Sequence, residues 1–152
     1  MKAIGAFVLV LLVGLGVAMY VVTRPPNREL DAQGRAWVQK YEIWADATGR
    51  RIDCAVIGMT LSSEAKNARL IEPLRRCSAS FARLGEPPAL LRPVQEVVQD
   101  ACGEAQYAAQ VNDEFGTSSL ATVQLHLNEA EDRLVLARRT LRTQLGQEEP
   151  GE

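Results

Sequence analysis

The residues whose chemistry can be argued from type and spacing are three cysteines, one histidine and a short aromatic stripe. Cys54, Cys77 and Cys102 are separated by 23 and 25 residues, with no C-x-x-C knuckle, so a thiolate metal site is not expected. In an exported protein, cysteines point to disulfides. Pro87-Pro88 forces a turn, with Cys77 eight residues before Gly85 and Cys102 thirteen after Ala89. In an antiparallel helical hairpin those positions lie within about two turns of level. Cys77–Cys102 is therefore the preferred bridge, and Cys54–Cys77 across Ser62-Ser63 is its rival. The remaining thiol is expected to be buried and inert, with linkage of two copies or chemical reactivity as alternatives.

His126 is the sole histidine, and Glu129 follows at a spacing that shares a helix face. Carboxylate-bridged sites in bundles use repeated Glu-x-x-His motifs from several helices, and the sequence has none. His126 is read as a partly exposed structural residue, with no metal and no cofactor expected. No Gly-x-Ser-x-Gly, His-Glu-x-x-His or phosphate-cradling glycine loop is present, so the chain is not expected to be an enzyme.

Trp37, Tyr41 and Trp44 recur at spacings of four and three. Such a stripe packs into a helical core. As a second role, the same rings can anchor a partner helix or an apolar ligand, which makes them the candidate partner-binding residues. Packing near a lipid surface is a third.

The elements that must hold these residues are helices. Leu120, Val123, Leu127, Ala130, Leu134, Ala137 and Leu141 alternate spacings of three and four. The runs Leu70, Leu74, Cys77, Phe81, Leu84 and Leu90, Val94, Val97, Ala101, Ala105, Ala108 keep a similar rhythm. Asn27 can cap a first helix and Gly49 can end it. Residues 50–61 either extend that helix or join the next. Pro73 predicts a kink or a fresh start, and Gly116-Thr117-Ser118-Ser119 predicts a stop followed by a cap. The expected fold is all-α: an N-terminal transmembrane helix followed by an antiparallel up-down bundle of about four helices. The bundle helices are placed near 28–48, 53–84, 89–115 and 118–145.

The N-terminus carries the location argument. Residues 1–22 contain 18 apolar side chains and one charge, Lys2. The uncharged run Ala3–Val22 is about 30 Å long as a helix, enough to cross the hydrocarbon core. Residues 1–24 are read as a signal anchor, with a cleaved signal peptide ending near Gly16-Val17-Ala18 as the alternative. Residues 25–27 form a proline linker, 28–146 an extracytoplasmic bundle, and 147–152 a disordered tail. Arg24, Arg28 and Arg35 lean against export of the C-terminal domain, whereas a short basic N-terminus before an apolar run favours it.

Charge is segregated along the chain. Lys66 to Arg92 holds six basic residues against two acids, while Pro93 to Asp132 holds eight acids and no Lys or Arg. Arg133, Arg138, Arg139 and Arg142 then follow with no acid between them. The pattern suits complementary pairing inside the bundle. A net charge of −2, with no aromatics among the bases, argues against nucleic acid. The expected function is a non-enzymatic, membrane-tethered bundle of the cell envelope acting in protein–protein interaction or scaffolding, with another envelope protein or itself. The alternative is an extracytoplasmic sensor or small apolar ligand-binding module.

Overall fold

The computed structural model describes residues 30–61 and 64–147. The apolar leader, the proline linker, Asn27 and most of the C-terminal tail lie outside the described residues. So the transmembrane reading of Ala3–Val22 is not addressed by the fold. Among the described residues, no helix is long and apolar enough to cross a membrane.

Helix α1 runs Ala32–Leu61. It starts where Asp31 Oδ1 accepts a 2.6 Å hydrogen bond from the Gly34 amide, which satisfies one of the free N–H groups of the first turn. Asp31 therefore does the capping for which the sequence offered Asn27. The helix passes straight through Gly49 and takes in residues 50–61, so the expected end at 48 is corrected. Gly49 costs about 1 kcal/mol of helix propensity, but the buried side chains of Ala45, Thr48, Ile52, Ala55 and Met59 continue one inward stripe past it.

The second arm is broken. Helix α2 spans Glu64–Ile71, a 3₁₀ segment takes Glu72–Arg76, and α3 covers Cys77–Ala82. Pro73 lies at the start of the 3₁₀ segment, where its missing N–H is tolerated. At Gly58 an added Cβ would lie 2.3 Å from Leu70 Cδ1, so the missing side chain lets α1 and α2 approach closely. Gly85, at φ +83°, turns the chain before Pro87-Pro88. A short 3₁₀ turn, Ala89–Leu91, then leads into α4, Arg92–Phe115. After Gly116–Ser119, also 3₁₀, comes α5, Leu120–Gln144. Ser119 does not cap α5 with its side chain as expected. Its hydroxyl donates backward to the Gly116 and Val111 carbonyls, at 2.8 and 3.3 Å.

The described residues thus form an all-α bundle of four arms. The most extensive contact is between α4 and α5, and α1 packs against α5 and the second arm. Val123, Leu127, Ala130, Leu134, Ala137 and Leu141 are all buried, as their spacing requires. They meet Val94, Val98, Ala101, Ala105 and Ala108, and the alanines let the backbones come close. Leu90 and Val97, expected in that stripe, flank it half-buried, while Leu91 and Val98 occupy the centre. In the second arm Ile71 is buried in the place expected for Leu70.

Candidate functional site

Cys77, at the start of α3, is bonded to Cys102 in the middle of α4, with Cα atoms 5.2 Å apart. Both residues are buried. Polar clamps flank the bridge. Gln106, one turn beyond Cys102, donates from Nε2 to the Arg75 carbonyl at 3.0 Å and accepts from the Ser78 hydroxyl at 3.3 Å. Those bonds hold the junction where 3₁₀ passes into α3 and the regular helix ladder is interrupted. Arg75 also reaches Asp113 of α4 and Glu72 of its own segment. The basic second arm and the acidic third are paired here, as the charge pattern suggests. Cys54 differs from expectation: the free thiol is exposed on α1.

Trp37, Tyr41 and Trp44 are all buried. Tyr41 stacks on Trp37 at 5.5 Å between centroids, and Phe81 packs at 5.0 Å from Trp44. The indole of Trp37 donates to the Gly85 carbonyl at 3.1 Å and that of Trp44 to Ser80 Oγ at 2.9 Å. The stripe therefore serves the core by fixing α1 to α3 and its turn. The Tyr41 hydroxyl is buried with no hydrogen-bond partner. Burial pushes its pKa up to about 12, against a lesser opposing pull from Arg138. Beside it an open cleft of about 290 Å³ lies between α1 and α5, lined by Val38, Asp46, Arg138 and Leu145. A second cleft, about 360 Å³, opens at the Trp37 edge against Gly85–Pro88.

The third constellation joins α4 to α5. His126 Nδ1 lies 2.7 Å from Glu104 Oε2, with both side chains about four-fifths buried. The Tyr107 ring meets the imidazole edge-on at 4.5 Å. Glu129, one turn along α5, completes a set in which one donor atom from each residue lies within 4.8 Å of the others. Arg133 extends toward the far oxygen of Glu104 at 3.8 Å and toward Asp100 at 3.5 Å. The sequence supplied His126 and Glu129 but not Glu104, whose separation of 22 residues carries no periodic signal. Its position on α4, two residues after Cys102, is the only sequence clue.

Glu131 and Asp53 form a further carboxylate contact between α5 and α1. Partial loss of hydration, then the charges of Asp53 and Asp132, raise the Glu131 pKa above its ordinary value. Nearby, Arg138 bonds Asp46 at 2.6 Å.

Comparison with known proteins finds no family model, no curated protein and no solved structure that matches this chain.

Proposed function

We propose that the protein is a non-enzymatic, membrane-tethered helical bundle of the cell envelope that acts by protein–protein interaction, with another envelope protein or with itself. The supporting observation is a pair of exposed leucines on the outward side of α5, separated by the exposed acids Glu129 and Asp132. Leu125 is 60% exposed and Leu136 50% exposed, spaced eleven residues apart on the face of α5 opposite its buried stripe. Val135 flanks Leu136, and Ile43 and Ile57 are exposed on α1. Large apolar side chains left in water among charges can serve as anchor points for a partner, whose docking would remove them from solvent. In this reading the apolar leader is the tether, the short basic N-terminus before it favours export of the domain, and the disulfide suits an oxidising compartment. With the three aromatics packed inside, the contact role passes to Leu125 and Leu136.

The test is position-dependent photocrosslinking in native membranes. A probe at Leu136 should give a discrete product that a probe at the exposed Arg83 does not. Identical patterns from both positions would count against the docking surface.

A second reading, an extracytoplasmic sensor or small apolar ligand-binding module, has one observation in its favour. The partnerless Tyr41 hydroxyl sits beside a cleft large enough for a small molecule.

A further inference from the structure

Among the described residues, one side-chain cluster combines nitrogen and oxygen donors from two rigid helices. We infer that Glu104, His126 and Glu129 form a binding site for a divalent first-row metal ion, Zn²⁺ foremost. This goes beyond the interaction role and does not depend on it.

The donor chemistry fits. Zn²⁺ takes imidazole nitrogen and carboxylate oxygen at about 2.0–2.2 Å, which sets donors around one tetrahedral ion roughly 3.3–3.6 Å apart. The three donor atoms lie within 4.8 Å of one another, and the closest pair is already at 2.7 Å. Glu104 is carried by α4, and His126 and Glu129 by α5, so the set joins donors from two helices. Two carboxylates beside an imidazole make an acidic donor set of the kind a divalent cation takes, with Arg133 offsetting part of the charge from the side of Glu104 and Asp100. Glu129 is exposed, so a fourth position opens to solvent for water or an incoming donor.

The surroundings orient the ligands. Arg133 lies 3.8 Å from Glu104 Oε1 as a loose ion pair, while Oε2 faces His126 at 2.7 Å, so the two carboxylate oxygens have different neighbours and Oε2 is the one on the side of the site. Tyr107 packs against the imidazole and restricts its rotation. The backbone under Glu104 is fixed by Cys102 through its disulfide and by Gln106 through its bonds to Arg75 and Ser78. The 2.7 Å contact between His126 Nδ1 and Glu104 Oε2 keeps the imidazole and this carboxylate side by side.

Zinc binding to the full-length Cys54→Ser protein, purified with detergent and freed of metal, tests the inference by titration calorimetry. The Cys54→Ser background removes the exposed thiol as a competing ligand. One equivalent of Zn²⁺ should bind per chain. Affinity should fall at least tenfold in His126→Ala and in Glu129→Gln, and stay within twofold in Glu96→Gln, an exposed acid on α4 away from the cluster. Glu129 lies on the surface, so its variant keeps the test decisive if the His126 variant does not fold. Co²⁺ should give visible bands of a low-symmetry, imidazole-containing site that are lost with His126. No saturable binding, or affinity that is unchanged in Glu129→Gln, would overturn the inference.

Discussion

Cys77 on α3 and Cys102 on α4 are bonded with their Cα atoms 5.2 Å apart, although Cys77 lies five residues from its helix end and Cys102 ten from the start of its own. The connection through Gly85, Pro87-Pro88 and the 3₁₀ turn Ala89–Leu91 makes up that difference in height. The bridge closes the junction at which the second arm changes from 3₁₀ to α-helix. Closing a loop of this size stabilises by about 3 kcal/mol in the chain-entropy model. The Cys77→Ala/Cys102→Ala double variant should lose about that much in urea unfolding followed by circular dichroism. A change of only a few tenths of a kcal/mol would mean that the helices hold their register without the bridge.

The two faces of α5 should respond oppositely to truncation. Leu127 is fully buried, whereas Leu125 is mostly exposed. Leu127→Ala should cost about 2–5 kcal/mol through lost burial and the cavity left behind. Leu125→Ala should fall within about 0.5 kcal/mol of the parent. Chemical denaturation of the two variants checks this directly.

That stripe was legible in the sequence because its residues are large, apolar and regularly spaced. The disulfide was legible because a double proline set the hairpin. The end of α1 was not. Gly49 looks like a stop, and the stripe that crosses it runs through Thr48 before it and Ala55 after it, which do not announce burial. The helix survives because Ile52 and Met59 bury further along and outweigh one glycine. With that boundary misplaced, the phase of Cys54 was lost, and its exposure with it. Glu104 was hidden for another reason. Its approach to His126 depends on how α4 and α5 are rotated about their axes, which local spacing does not encode.

The Tyr41 hydroxyl gives a stability effect in alkali. Its pKa rises from 10.0 to about 12 because burial disfavours the phenolate. A raised folded-state pKa contributes stability that is fully present below the unfolded pKa and lost as pH rises through the folded one. The parent should therefore lose stability between pH 10.0 and about 12 beyond any loss seen in Tyr41→Phe. At neutral pH, Tyr41→Phe should match the parent or exceed it by up to about 1 kcal/mol, since an unpaired buried hydroxyl is removed. Thermal melts across that range provide the check.

Glu131 predicts a smaller effect at the acid end. Its raised pKa means that the folded state favours the protonated carboxyl, so its contribution is present in acid and lost as pH rises through the folded pKa. Glu131→Gln should melt above the parent at pH 7, and the gap should close on acidification below the ordinary carboxylate range. A gap independent of pH would assign the change to packing instead.

The central claim is that the outward face of α5 is a contact surface on a membrane-tethered domain. The most direct measurement is photocrosslinking of the full-length protein in native membranes, with the probe at Leu125, at Leu136 or at Arg83. The protein should be recovered in the membrane fraction, with a discrete crosslinked product from Leu125 and Leu136 and none from Arg83. The same pattern from all three positions, or recovery of the protein outside the membrane fraction, would contradict it.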